Sequence, residues 1–102
     1  MLVQLTMFPT DGQGASVSKH VSRVIDIIDN SGLPYKLTAM ATIIEGEWDE
    51  IMLVINEARK ELKRNHSRLY ISMTIDDRQG VKNRLEGKID AIEKNLNREV
   101  KK

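Results

Sequence analysis

The residues best suited to chemistry lie in the segment 42–50, where an apolar run ends in four carboxylates around the only tryptophan. Glu45 and its acidic neighbours would attract a cation or an amine, and the indole of Trp48 would add a cation–π attraction of roughly 0.5–2 kcal/mol. The same run, broken by Gly46 and followed by acidic residues, also predicts a strand that leads into a helix N-terminus, where negative side chains favour the helix dipole. Both interpretations stay open from the residues alone.

Other reactive constellations are scarce. The order of the residues contains no Ser-His-Asp triad and no Gly-rich phosphate loop, and the absence of cysteine removes thiolate catalysis and Cys-based zinc sites. His20 and His66 have no spaced partners and are predicted to be surface residues rather than metal ligands. Asp76 and Asp77 are predicted to form a turn. We therefore expect no catalytic site, no cofactor and no metal.

Composition limits the class of protein and of partner. The 102 residues fit one domain, 1–102, and the 16 basic residues nearly balance the 15 acidic ones. Such a balance offers no global attraction to nucleic acid or to an anionic membrane, so we expect neither as a partner. The chain has no apolar run of about 20 residues and no signal-peptide pattern, so a cytoplasmic location is the default expectation.

Hydrophobic periodicity predicts the order strand, helix, strand, strand, helix, strand, helix. Alternation marks residues 2–8 and 68–76 as strands, and a 3.6-residue period marks a first helix that Ser16 caps and Gly32 ends. The other predicted elements are strands 35–38 and 42–45, a second helix over about 49–64, and a third helix after Gly80 that carries Val81, Leu85, Ile89, Ile92 and Leu96. The two short strands form either a hairpin or one bent strand, and we favour the hairpin.

This order predicts an α+β, ferredoxin-like sandwich, in which a four-stranded antiparallel sheet carries helices on one face and a C-terminal helix is added. One side of the first and last strands is apolar and should meet the helices: Val3, Leu5, Met7, Leu69, Ile71, Met73 and Ile75. The opposite side lacks charged residues along these strands and is predicted to carry Gln4, Thr6, Phe8, Tyr70, Ser72, Thr74, Thr38 and Thr42.

A water-facing sheet in a chain that is 30% charged usually gathers Lys, Arg and Glu, so we predict that this charge-poor face is covered. Hydroxyls, an amide and a phenol can be buried where each finds a partner, as at a subunit interface or in a pocket for a polar heterocycle. The preference of threonine for strands is the simpler alternative. In the predicted strand order the last strand is an edge, which also favours self-association.

The sequence resembles the small thiamine-binding-protein family over nearly its whole length. The resemblance lies in Leu-Thr-Met-Phe-Pro at residues 5–9 with the Gly-containing loop and Ser-Val-Ser at 16–18 that follow, in the segment 37–50, and in Ile-Asp-Asp-Arg at 75–78. Of these, the segment 37–50 is the most specific.

The resemblance implies a protein that binds thiamine or its pyrimidine moiety without catalysis and that assembles with itself as a dimer or tetramer. Carried to matching positions, it implies these ligand-binding residues: Thr6, Ser16, Thr38, Thr42, Glu45, Gly46 and Trp48. A structural or regulatory homo-oligomer without a small-molecule ligand is the alternative, because a polar contact between subunits would use the same residue types.

Overall fold

The computed structural model describes residues 1–11, 17–80 and 83–102. Its elements follow the predicted order: β1 Leu2–Pro9, α1 Val17–Asn30, β2 Tyr35–Leu37, β3 Thr42–Glu45, α2 Trp48–Lys63, β4 Leu69–Asp76 and α3 Arg84–Leu96. The strands form one antiparallel sheet in the order β2-β3-β1-β4. The α+β architecture and the β2–β3 hairpin are confirmed, and the arrangement is that of a ferredoxin-like fold.

The core lies between the sheet and the helices α1 and α2. Alternate residues of β1 face it because successive strand side chains point to opposite sides, and Ile44 joins them from β3. The apolar stripes of the two helices complete it, and the buried hydrophobic residues are Met1, Val3, Leu5, Met7, Val24, Ile28, Ile44, Ile51, Val54, Ile55, Ala58 and Leu62. The central strand β1 is therefore the element against which both helices are positioned.

The boundaries of these helices follow from local chemistry. Gly32, two residues after the end of α1, adopts φ +79°, a left-handed conformation that glycine reaches without strain and that is typical of a helix end. At the start of α2 the Glu50 carboxylate accepts a 3.1 Å hydrogen bond from the Glu47 N–H. The acidic cluster around Trp48 thus begins a helix, which confirms the helix-start interpretation.

The helix α3 begins on the opposite face of the sheet. Leu2 pairs with Glu45 on one side and with Asp76 on the other, so these three side chains share the face that points away from Val3 and the core. Glu45 and Asp76 both contact Arg84, the first residue of α3. The C-terminal helix is therefore attached through two strand-end carboxylates. Val81, predicted to belong to this helix, lies outside the described residues.

Two sequence predictions about side-chain environment are wrong, and a third is confirmed only in part. Thr42 pairs with Leu5 and so faces the helices, not the charge-poor side. Ile71 and Met73 do point to the helix side but stay 36% and 41% exposed, because β4 is an edge strand that α1 and α2 do not fully cover. His20 is buried and only 8% of the His66 side chain is exposed, so neither is a surface residue.

Candidate binding site

A notch interrupts the sheet beside the second half of β1. The pairing of β1 with β3 ends at Leu5 and Thr42, whereas β1 continues to Pro9 with β4 as its strand partner. The space left beside Thr6–Phe8 is a cavity of about 210 Å³. Its described lining comes from β1, from α1 and from the turn before β3: Leu5, Thr6, Met7, Phe8, Val21, Val24 and all residues from Leu37 to Thr42. We call this cavity the notch.

The turn 38–41 forms the outer wall of the notch and is held by hydroxyl groups. The Thr38 hydroxyl donates to the Ala41 carbonyl at 2.7 Å and accepts from the N–H groups of Met40 and Ala41 at 3.3 and 3.1 Å. From β1, the Thr6 hydroxyl donates to the Met40 carbonyl at 3.2 Å. The Thr6 oxygen keeps lone pairs with which it can accept a hydrogen bond from a ligand.

The backbone of β1 adds a donor and an acceptor to the notch. Thr10 donates its N–H to the Arg68 carbonyl before β4, whereas the Met1 carbonyl accepts from Gly46 after β3. Because backbone groups along a strand alternate in direction, the N–H and C=O of odd-numbered β1 residues point away from β4. Met7 therefore presents both groups toward the notch, and no described residue of β3 pairs with it.

The described lining of the notch is otherwise apolar and uncharged. None of its described lining residues is Asp, Glu, Lys, Arg or His. The side chains of Leu5, Met7, Val21 and Val24 provide the apolar surface, while Thr6, Thr38 and Thr42 contribute the hydroxyls. Such a combination, an apolar cavity with a few directed polar groups, is typical of small-molecule sites.

The far end of β3 has a different character. The Glu45 carboxylate accepts from the N–H groups of Arg84 at 2.7 Å and Leu85 at 3.2 Å, so it caps α3. Beside it, Asp76 accepts hydrogen bonds from Arg84 and, at 2.9 Å, from the Lys88 ammonium. These bonds, the one from Arg84 first, hold the pKa of Asp76 well below its usual range. The carboxylates here are engaged in attaching a helix.

Gly46 and Trp48 belong to this same end. A Cβ at Gly46 would lie 3.2 Å from Leu33 Cδ2 and 3.3 Å from Ile51 Cγ1, so the close approach of α2 to the sheet accounts for glycine. The Gly46 N–H donates to the Met1 carbonyl at 3.1 Å. Trp48 opens α2 and is half exposed.

The predicted site residues thus form two groups. Thr6, Thr38 and Thr42 meet at the notch, while Glu45, Gly46 and Trp48 lie at the opposite end of β3, about 10 Å away along the strand at its usual rise per residue. Ser16 lies outside the described residues. Sequence reasoning missed Met7 and the turn residues 39–41, although one signal was available, since the predicted β1 is longer than its partner β3.

Residues 3–93 match the sequence pattern of the thiamine-binding protein family. The chain belongs to that family. Its relatives include the UPF0045 protein MJ1052 of Methanocaldococcus jannaschii, which is 34% identical over 92 residues, 90% of this chain and 91% of the relative. The UPF0045 protein YqgV of Bacillus subtilis is 31% identical over 100 residues, 93% of this chain and 96% of its own.

Solved structures of thiamine-binding protein relatives share the fold. The crystal structure of MJ1052 superposes with a TM-score of 0.79 over 89% of this chain and 93% of the other. A Thermotoga maritima protein, TM0486, whose description assigns it provisionally to thiamine biosynthesis or salvage, is 25% identical with a TM-score of 0.77, covering 89% and 96% of the two chains. The family is a family of binding proteins.

Within residues 1–11, 17–80 and 83–102, no cluster of three or more His, Asp or Glu side chains could hold a metal ion. In the same residues no helix has the length and apolar character needed to cross a membrane. The cytoplasmic location stays a prediction.

Proposed function

We propose that this protein binds the pyrimidine moiety of thiamine, as the free hydroxymethylpyrimidine or as part of the vitamin, in the notch and without catalysis. The observation that carries the proposal is the gap in the sheet beside Thr6–Phe8, where hydroxyls and a stretch of β1 backbone without a strand partner among the described residues on that side meet an apolar wall. Membership in the thiamine-binding protein family supports the choice of ligand.

The size and charge of the notch favour the pyrimidine over the whole vitamin as the enclosed group. Pockets that enclose drug-sized ligands measure about 300–1,000 Å³, whereas the notch holds about 210 Å³ and suits a single substituted ring. Its described lining contains no carboxylate to pair with a thiazolium cation. In bound thiamine the thiazolium would therefore extend out of the notch, past the turn 38–41.

Hydrogen bonding supports the same ligand. An aminopyrimidine places a ring-nitrogen acceptor beside an amine donor. The Met7 backbone offers an N–H for the ring nitrogen and a C=O for the amine, as it would offer them to a neighbouring strand. The ring would thus replace the missing strand partner of β1. The hydroxyls of Thr6 and Thr42 lie in the same cavity and supply further partners.

Ligand-dependent stabilisation tests this proposal. Hydroxymethylpyrimidine at about 100 times its dissociation constant should stabilise the folded protein by roughly 2.7 kcal/mol per site, which is visible as a thermal shift. Choline, a cation without the ring, should produce none. Absence of a shift with both the pyrimidine and thiamine would favour the structural oligomer instead.

We also propose that the protein acts as a homo-oligomer, built on the edge strand β4. Its eight residues pair on one side with β1, and it exposes Tyr70, Ile71 and Met73 in a stretch without charge. The Cα radius of gyration, 15.2 Å, exceeds the roughly 13 Å expected for a compact chain of this length. A second copy that pairs along β4 about a two-fold axis would cover these side chains.

A charge placed on β4 tests the assembly. Met73→Lys should lower the molar mass measured by light scattering to that of the monomer. Leu53→Lys is the matched control, because Leu53 is also exposed and apolar but lies on α2, away from the edge. A wild-type protein that is monomeric at micromolar concentration would contradict the proposal.

A further inference from the structure

A buried ionisable cluster joins three separate segments of the chain, close to the notch but outside it. Asp11 follows β1, His20 lies in the first half of α1, and His66 lies between α2 and β4. The rings of His20 and His66 meet edge to face with centroids 4.6 Å apart. The His66 Nδ1 lies 3.1 Å from Asp11 Oδ1, and the exposed fractions of the two side chains are 8% and 13%.

Asp11 is the structural link in this cluster. Besides the contact with His66, its carboxylate accepts a 3.0 Å hydrogen bond from the Ser67 N–H. Next to it, Thr10 donates its N–H to the Arg68 carbonyl at 2.9 Å. The ionised carboxylate can only accept, so Nδ1 of His66 carries the proton in this contact. The end of β1 is thereby attached to the segment that leads into β4.

Of the two histidines in this cluster, His20 lies in the environment that stabilises a positive charge least. It is only 7% exposed, and its Nδ1 is buried with no partner among the described residues. Burial lowers the pKa of His20, and the nearby charges of His66, Arg23 and Lys19 act in the same direction, against a smaller opposite effect of Asp11. His20 is therefore influenced by three basic side chains and by one carboxylate, that of Asp11.

We propose that His20, His66 and Asp11 form an acid-sensitive latch that holds the end of β1, α1 and the α2–β4 connection together and opens when both imidazoles carry a proton. A single proton beside the Asp11 carboxylate forms an ion pair within the closed cluster. A second proton places two cations in contact in a site that is mostly removed from water, which is costly. Opening the junction hydrates both rings.

The sign of the pH dependence follows from His20. Its folded pKa is lowered, so the closed form binds fewer protons than the open form as the pH falls below the ordinary histidine value of about 6.5. The stability of the latch is therefore complete above that pH and decreases below it. The chain contains two histidines and no cysteine, so few other side chains titrate in this range.

The latch borders the notch on two of its walls. Val24 lies one helical turn after His20 on α1 and lines the notch, and the lining residues Met7 and Phe8 of β1 lie shortly before Asp11 in the chain. Opening the latch frees the ends of both walls. As a consequence, which rests on the proposed function, the affinity for the pyrimidine should fall in acid.

Amide hydrogen exchange of the full chain tests the latch directly. In the wild type, the protection factor of the Ser67 N–H should fall by up to about tenfold per pH unit between pH 6.5 and 5.5, while that of Ile44 in the core changes less. His20→Gln, which cannot take up the second proton, should remove the difference. Lys94→Gln, a loss of an exposed charge on α3, should keep the wild-type response.

Several outcomes would overturn the latch: equal protection of Ser67 at both pH values, an equal loss at Ser67 and Ile44, or the wild-type response in His20→Gln. Should His20→Gln fail to fold, NMR titration of the two wild-type rings decides. The latch requires the His20 ring to titrate below the ordinary histidine pKa. The signal of the Ser67 amide should change over the same pH range. Titration at the ordinary value with no change at Ser67 contradicts it.

A measurement of ligand affinity distinguishes a failure of the latch from a failure of the proposed function. Hydroxymethylpyrimidine affinity is compared between wild type and His20→Gln at pH 7.5 and 5.5, so that titration of the ligand itself cancels. A larger loss in the wild type supports coupling of the latch to the notch. Absence of binding at both pH values contradicts the proposed function, whereas the exchange of the Ser67 amide still decides the latch.

Discussion

Both ends of β3 carry a polar residue that the sequence marks as a candidate for ligand binding, but the two ends have different structures. At its first residue, Thr42 borders the notch, whose described lining carries no charge and where no described strand pairs with β1 on that side. At its last residue, Glu45 is buried and accepts two N–H groups from the start of α3. Polar side chains at the first end border open space, and those at the second hold elements together.

This difference shows that a cluster of carboxylates indicates a ligand site only when its oxygens lack partners within the fold. Asp76 is held by Arg84 and Lys88, and Glu50 caps the backbone at Glu47. The role of Glu45 in ligand binding stays a prediction, and the geometry favours its structural role.

The largest effect is expected at the far end of β3. Glu45→Ala removes the acceptor of two N–H groups and should lower the free energy of unfolding by about 2–3 kcal/mol, as measured in urea. Affinity for hydroxymethylpyrimidine per folded molecule should not change. Glu57→Ala, which removes an exposed carboxylate from α2, is the control and should leave both quantities near the wild-type values. If fully folded Glu45→Ala lost much of its affinity, the ligand would bind near Glu45 and not in the notch, which would contradict the proposal.

The next effect is expected at the notch. Thr42→Ala removes a buried hydroxyl from the cavity lining and should weaken pyrimidine binding by about 1–2 kcal/mol in calorimetry. Thr74→Ala changes a threonine on β4 outside the notch and should bind as the wild type does. Equal affinities of the two variants would contradict the assignment of Thr42.

A smaller effect is expected in the outer wall. Thr38→Val keeps the shape of the side chain but removes the hydroxyl that ties Met40 and Ala41 within the turn. We expect a loss of about 0.5–1.5 kcal/mol in stability and a faster release of the ligand in stopped-flow experiments. Unchanged release would show that the turn does not retain the ligand.

The last prediction concerns how stability depends on pH at Asp76. The lowered pKa of Asp76 means that its contribution to stability is present above its unfolded value near 3.8 and is lost as the pH falls through the folded value. Asp76→Asn should therefore reduce the pH dependence of urea unfolding below about pH 4, with little change in ligand affinity. A wild-type slope in this variant would show that the contacts with Arg84 and Lys88 are not coupled to folding.

Local patterns predicted the elements of this fold, and long-range contacts explain where the sequence fell short. Alternation in β1 and the apolar stripe of α2 are properties of short segments, so both were predicted within one or two residues. The face of Thr42 depends on its register with Leu5, and the burial of His66 depends on Asp11, 55 residues earlier in the chain. Neither pairing leaves a periodic signal.

The same limit applies to the site. The hydroxyls of Thr6, Thr38 and Thr42 were identified by resemblance, yet the Met7 backbone has no side-chain signature at all. The separation of Glu45 from the notch follows from its bonds to α3, 39 and 40 residues away. Residue types show what chemistry is available, and the tertiary contacts decide which of it is free.

The five methionines provide the most direct test of the central claim, that the ligand enters the notch and not the far end of β3. In a protein with 13C-labelled methionine methyl groups, hydroxymethylpyrimidine should shift the signals of Met7 and Met40, which line the notch. The Met1 carbonyl accepts a hydrogen bond from Gly46 at the far end of β3. The signal of Met1 should not shift, and the fluorescence of Trp48 should not change. Shifts at Met1 and Trp48 with Met7 and Met40 unchanged would contradict the account.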